Sequence, residues 1–436
     1  MRLDELKHAF LRAGATRLFA KTLAENDNSK NQVYFGPGFQ ALNLFPNNGI
    51  EPSSGSKNPI FKASLDFGWL TDNGEVVVAP NAKLILYPQY PEVRFSGFLK
   101  GCAAPPSALM ASRLPGRILF LAVTSGNRII GYVGDRASEA ACELQSKSVE
   151  PTVGVFIELN LPSIPGQFDS RSTLLKELER INNLGWIRSK QLDSHGVFKP
   201  CRAVQCGGYT LEAELGISKN SVGEPDFLGW EVKQHSVPKF GSLGAAITLM
   251  TPEPTGGVYK DQGVEVFIRR FGYPDKNGKP DRLNFGGIHR VGIPQASTEL
   301  TLTLIGYDSG KNQISDSSGS MALVAPSGEV AASWDFSGLL AHWSTKHTRA
   351  VYVPSIRKID SDWYYAYGPQ VRLAQRTDPL RLLFSLAAGV VYYDPGIKLE
   401  NISTKPKVKR RSQFRVASKN ISSLYETVET VSVSEA

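Results

Sequence analysis

Cysteine is scarce in this sequence: Cys102, Cys142, Cys201 and Cys206 are the full complement in 436 residues. Four are too few to staple a fold, which excludes a disulfide scaffold. Cys201 and Cys206 stand five apart without a second Cys or His pair at zinc spacing, so we read all four as reduced thiols and expect no zinc. Long apolar runs are missing too. The longest, Leu382 to Tyr393, is far too short to span a bilayer. Asp4 and Glu5 fall where a secretory signal needs basic and then apolar residues, so the expected compartment is the cytoplasm. Internal repeats are absent as well. What is present is ordinary globular composition, with 41% hydrophobic and 21% charged residues, which excludes a mainly disordered or fibrous chain. The length suggests two or three domains. Lys and Arg outnumber Asp and Glu by 49 to 41, and the net charge of +8 favours an anionic partner such as nucleic acid.

Texture changes along the chain. Leu3, Leu6, Phe10 and Leu11 share one helical face, and the rhythm predicts a first helix from Leu3 to Lys21. From Gln32 to about Glu158, short β-rich runs alternate with Gly, Pro and Asn. They include Val33–Phe35, Glu75–Val78, Lys83–Tyr87, Val93–Phe95, Ile118–Val123, Ile129–Val133 and Val153–Ile157, a pattern of a mainly β barrel or sandwich. This gives a first domain over 1–160 and a linker over 161–169, around Pro162 to Gly166. A second domain over 170–401 opens with a helix from Ser172 to about Leu184 and mixes helices and strands, hence α/β. Within it Val264–Ile268 reads as a strand and Tyr273–Gly278 as a hairpin tip. Lys405, Lys407, Lys409, Arg410, Arg411 and Arg415 mark residues 402–436 as a basic, flexible tail.

The chemistry concentrates between Cys206 and Gln234. Leu211 and Leu215 lie four apart on one helical face, and Gly216 stands where such a helix ends, which puts Glu212 at the edge of a buried stripe. Asp226-Phe227-Leu228-Gly229 then leads into a strand in which Trp230 and Val232 alternate with Glu231 and Lys233. In a straight strand Asp226 and Glu231 would point to opposite faces, and Gly229 offers the bend or bulge that unites them. Two converging carboxylates suit a hard divalent ion, Mg²⁺ above all, and a lysine two residues on can orient metal-bound water. Glu-x-Lys alone is commonplace as a surface ion pair. The preceding Pro225-Asp226 completes a Pro-Asp…Glu-x-Lys signature.

This stretch resembles the MutH and MvaI/BcnI-type endonucleases, whose pattern is Leu-Glu-x-x-Leu-Gly, a variable loop, Asp-Phe and Gly-x-Glu-x-Lys. Here it is carried by Leu211-Glu212, Leu215-Gly216, Asp226-Phe227 and Gly229 to Lys233. The resemblance implies a PD-(D/E)XK nuclease fold of MutH type. It implies Asp226 and Glu231 as Mg²⁺ ligands, Lys233 as the water-orienting lysine and Glu212 as an auxiliary acid. The N-terminal half has its own likeness. Lys21 to Asn28, Gln32-Val33, Pro37-Gly38-Phe39 and Leu44-Phe45-Pro46 resemble the start of an EcoRII-type effector domain, a DNA-binding pseudobarrel that grips the major groove with two arms. By this match Lys21 and Asn26 belong to the first arm and Arg94 falls near the second.

Joined, the two resemblances imply a type IIE restriction endonuclease acting on double-stranded DNA at a short C/G-rich site such as CCWGG. Two target copies would be bound, and a cognate DNA methyltransferase is expected in the same cell. Neither a membrane nor an obligatory protein partner is expected. Further DNA contacts are expected at Arg269, Arg270, His289, Arg290, His347 and Arg349, basic and imidazole groups near strand ends, and His235 shares the catalytic strand face. Two other readings stay open: a MutH-like mismatch-repair nickase, and a DNA-binding regulator with a dead nuclease fold. Intact Asp226, Glu231 and Lys233 speak against decay.

Overall fold

The computed structural model describes residues 1–25, 31–53, 58–147, 150–162, 169–218 and 225–435. The chain divides into two compact units, 1–167 with 313–317, and 168–312 with 318–436. No helix among the described residues is long and apolar enough to cross a membrane.

The first unit is mainly β, as its turn-rich texture predicts. Ala15–Thr22 pairs antiparallel with both Ile118–Thr124 and Ile157–Leu159, and the sheet continues through Ile129–Gly134 and Phe67–Leu70 to Val76–Val78. A second sheet runs in the order Val33–Pro37, Glu92–Ser96, Lys83–Tyr87, Phe61–Ser64 and Ile50–Pro52. Strand alternation sorts the side chains. Leu18, Ala20, Ile118, Phe120 and Ala122 form one core with the helices Leu3–Arg12 and Glu139–Ser146. Phe19, between Leu18 and Ala20, instead joins an aromatic cluster with Phe35, Phe45, Phe95 and Phe156. The described strands form two open sheets and no closed barrel. One expectation needs correction: the first helix stops at Arg12, and Ala15–Thr22 is a strand. The helical rhythm holds only through Leu3, Leu6 and Phe10. Beyond Gly14 the side chains alternate between two cores, which a helix cannot arrange.

In the second unit a six-stranded mixed sheet positions the site. Its path is Ile187–Arg188, Trp363–Tyr367, Arg349–Ile359, Gln370–Gln375 and Thr427–Ser432, and Glu231–Ser236 pairs parallel with the first half of Arg349–Ile359. Val232, Val351, Val353, Tyr365 and Leu373 pack on one face beneath Leu174, Leu175, Leu178 and Ile181 of the helix Ser170–Asn183. Asp169 caps that helix by accepting hydrogen bonds from the N–H groups of Arg171 and Ser172.

Three further expectations are overturned here. Val264–Phe271 is a helix, because Val264, Phe267 and Ile268 form a helical stripe rather than an alternation. Residues 402–436 are no loose tail. Lys407–Lys409 pairs with Gly396–Glu400, Phe414–Val416 joins a three-stranded sheet, and Thr427–Ser432 closes the edge of the main one. Within the basic run, Lys409 pairs with Glu400 and Arg415 with Asp394, both at 2.7 Å. Finally, Cys201 and Cys206 form a disulfide, while Cys102 and Cys142 are free. The Cys206 N–H donates to the Ala203 carbonyl, and this tight turn brings the two Cα atoms to 5.8 Å, within bridging reach.

Candidate active site

The site begins with a two-residue turn. Leu228 (φ 47°) and Gly229 (φ 82°) both take left-handed backbone, while Phe227 and Trp230 exchange N–H···O=C bonds of 2.9 and 2.8 Å. Two successive positive φ values define the turn that matches strand twist in a tight hairpin. Its consequence is geometric. When Phe227 opposes Trp230, their outer neighbours Asp226 and Glu231 oppose each other across the ribbon, and opposed residues share a face. The five-residue spacing that is awkward in a straight strand thus becomes a carboxylate pair. The turn uses no inserted residue, so the bulge alternative is not what the chain does.

Glu212 arrives on the helix Cys206–Glu214. Gly207 lets that helix lie close to the sheet, because a Cβ there would sit 3.0 Å from Gln234 and 3.1 Å from the Tyr365 ring. The helix ends with the Ile217 N–H on the Glu212 carbonyl at 2.8 Å and the Gly216 N–H on Ala213 at 3.2 Å. Lys233 reaches Oε1 of Glu231 at 2.5 Å, and one Asp226 oxygen accepts from the Val232 N–H at 2.9 Å.

Burial and crowding set the electrostatics. Glu212 is pushed up to about 7, first by burial and then by the charge of Asp226, against the pull of Lys233. Asp226 is raised by burial and by Glu231. Burial alone would lower Lys233, yet the charge and hydrogen bond of Glu231, with Asp226 and Glu212 behind them, hold its pKa above the ordinary lysine value. Glu231 is 1% exposed, and its buried Oε2 has no hydrogen-bond partner among the described residues. A buried carboxylate oxygen without a donor is costly, and a hard cation would satisfy it. Among the described residues no three His, Cys, Asp or Glu side chains close into a ready-made metal cage.

Sequence reasoning named Lys346 only as one of the basic groups before a strand that could touch a base or a phosphate, and it did not name His342. Lys346 ends the helix Phe336–Lys346, and its Nζ lies 3.9 Å from Glu231 Oε1. His342, one turn earlier, is pulled down to about 4 by burial and then by the charges of Lys346 and Lys233. The signal available in sequence was the four-residue spacing of a His and a Lys just before a β-rich run.

Other expected residues lie elsewhere. His289 and His347 are fully buried. His289 is held by the Gly287 carbonyl and the Thr298 hydroxyl, and His347 by the Tyr425 hydroxyl and the Leu249 carbonyl. Both are core histidines in this structure, because burial of the whole ring removes the edge that a base would need. His235 is buried and pulled down to about 4, by burial first and then by Arg372. Arg269 and Arg270 are exposed on the helix Val264–Phe271, paired with Glu265 and Glu329. Arg290 lies over the Tyr392 ring and Arg349 over Trp230. In the first unit, Lys21 and Arg94 do come together, lining a cleft of about 240 Å³ with Tyr34, Gln32 and Glu25. Asn26 lies outside the described residues.

The model of the MvaI/BcnI restriction endonuclease family matches residues 175–425, more than half of the chain and well past the expected domain end at 401. Among solved structures, restriction endonuclease MvaI with its cognate DNA is 17% identical, with a TM-score of 0.46 over 61% of this chain and 100% of that chain. The same enzyme in the absence of DNA is 16% identical, with a TM-score of 0.34 over 62% and 100%. No curated protein sequence matches the chain. Through residues 175–425, the chain belongs to the MvaI/BcnI restriction endonuclease family.

Proposed function

We propose that this nuclease is a Mg²⁺-dependent type II enzyme that cuts both strands of DNA at a short CCWGG-like site. The observation that carries the reading is the pair Asp226 and Glu231 facing each other across a two-residue turn, with an unpartnered buried oxygen and Lys233 beside them. Asp226 and Glu231 would hold the ion, which lowers the pKa of bound water and offsets phosphate charge. The chain's own groups do the rest. Lys233, fixed by Glu231, orients the attacking water. Glu212, near neutral pKa in the free protein, is an acid able to hold or release a proton beside it.

The first unit is proposed as an EcoRII-like effector pseudobarrel, giving a UbaLAI-like type IIE layout in which two target copies are bound. Lys21, Arg94 and Asn26 are its proposed DNA contacts, and the cleft shared by Lys21 and Arg94 supports the first two. In the second unit Arg269, Arg270, Arg290 and Arg349 remain proposed contacts. A cytoplasmic setting with a partner methyltransferase completes the proposal. The test is digestion of a sequenced plasmid with Mg²⁺ or with chelator, followed by mapping of the ends. Discrete double-strand ends at one short sequence, absent with chelator, are expected. Nicks alone would favour the repair reading, and binding without cleavage would favour the regulator.

A further inference from the structure

We propose that Lys346 is a second catalytic lysine, one that holds a non-bridging oxygen of the phosphate being cut. The inference rests on the nuclease reading above and deepens it. Two ammonium groups converge on Oε1 of Glu231 from different elements, Lys233 from the catalytic strand at 2.5 Å and Lys346 from a helix end at 3.9 Å. The first distance is a charge-assisted hydrogen bond and the second lies outside hydrogen-bond range. The Lys346 ammonium makes an ion pair with Glu231 but no hydrogen bond among the described residues, so its three donors remain available. Lys233 is committed to Glu231 and Lys346 is not.

The position of Lys346 is fixed nonetheless. Phe336, Leu339, Leu340 and Trp343 bury the helix, and its end is closed by the His347 N–H on the Trp343 carbonyl at 2.9 Å. The chain then runs directly into Arg349–Ile359, where Ala350 stands in register with Glu231. The Lys346 side chain is 20% exposed, which leaves a face for a ligand. His342 cannot substitute, since burial, and after it the charges of Lys346 and Lys233, keep it neutral.

The test separates grip from chemistry. Binding of a target duplex by the full chain is measured in metal-free buffer across a salt series, and single-turnover cleavage is measured with Mg²⁺. For Lys346→Gln the slope of log affinity against log salt should fall by about 0.9, the share of one phosphate contact. Cleavage should fall roughly 10²- to 10³-fold. Lys346→Arg should restore the slope. Lys346→Met, which keeps the apolar stem, replaces the Gln variant if thermal melting shows that variant unfolded. An unchanged slope or an unchanged cleavage rate in the folded neutral variant overturns the proposal. Asp226→Ala, run in parallel, keeps the two readings apart: if it still cuts, the catalytic assignment itself has failed, and if it is dead while the Lys346 variant is normal, only this inference has.

Discussion

At the proposed catalytic hairpin, Glu212, Asp226, Glu231, Lys233 and Lys346 interact electrostatically, and Glu231 Oε2 has no hydrogen-bond partner among the described residues. The cleft of the N-terminal unit is built differently. Arg117 there is 2% exposed and donates to the carbonyls of Ala24, Leu109 and Leu114, so its charge serves the fold. Arg94 is paired with Glu92 at 2.7 Å, and Lys21 has its pKa lowered by burial. One site holds a buried carboxylate oxygen that a metal would relieve, whereas in the other the acids Glu25 and Glu92 stand among Lys21, Arg94 and Arg117. The contrast teaches that chemistry and grip leave different electrostatic marks. Reaction centres hold groups in a costly state, whereas duplex-gripping surfaces need only accessible positive charge.

The sharpest way to break the contrast is to remove the acid side. Asp226→Ala should reduce single-turnover cleavage by at least about a thousandfold while changing duplex affinity only a few-fold, because the carboxylate serves the ion and not the DNA. Lys233→Ala should behave likewise. Near wild-type cutting by either variant would remove the hairpin from the mechanism.

Deleting the other side should cost less. A chain beginning near residue 167 is expected to lose any preference for two-site over one-site plasmids, and the full chain should show one of roughly 5- to 150-fold, the usual range of coupling between sites. Lys21→Ala and Arg94→Ala should each lower the salt slope of binding without touching the chemical step. Equal rates on both plasmids for the full chain would reduce the first unit to an anchor.

Glu212→Gln should slow cleavage about tenfold, less than Asp226→Ala, and it should change the pH dependence of stability. The folded pKa of Glu212, about 7, lies above its unfolded value of 4.5. The stability it contributes is therefore full below pH 4.5 and lost as pH rises through 7. In the Gln variant this loss, about 2 kcal/mol after allowing for screening of a partly exposed group, should vanish from denaturation curves taken across that window. A parallel decline in both proteins would show that Glu212 does not carry the effect.

The smallest effect tests the turn. Leu228 is 53% exposed and holds a left-handed backbone that costs a non-glycine residue about 1 kcal/mol. Leu228→Asn should raise stability by roughly 0.5–1 kcal/mol, since Asn tolerates that conformation, with cleavage unchanged. A loss of stability would mean that Leu228 is held there by something other than the turn.

Much of the site was legible in the sequence because it is local. Glu212 with the helix end, and Asp226 to Lys233 with the strand, sit within about two dozen residues, and short-range rules cover them. The mode of convergence was only half legible: Gly229 signalled a bend, but the two-residue turn depends on Leu228 accepting positive φ, which its side chain does not announce. Lys346 was legible as a basic group before a strand but not as a neighbour of Glu231, because its place follows from the parallel pairing of Glu231–Ser236 with Arg349–Ile359, more than a hundred residues apart. His289 and His347 misled for the same reason, since local sequence does not say that both rings are enclosed by distant chain. The helix Val264–Phe271 shows the ambiguity of short apolar runs, whose period is too brief to tell strand from helix.

In the proposed mechanism the turn makes Asp226 and Glu231 a divalent-cation site. Titrating the full chain and its Asp226→Ala variant with Mn²⁺, while following the free ion by electron paramagnetic resonance, tests it most directly. The wild-type chain should take up an ion that the variant binds at least tenfold more weakly. Identical binding curves for the two proteins would contradict it.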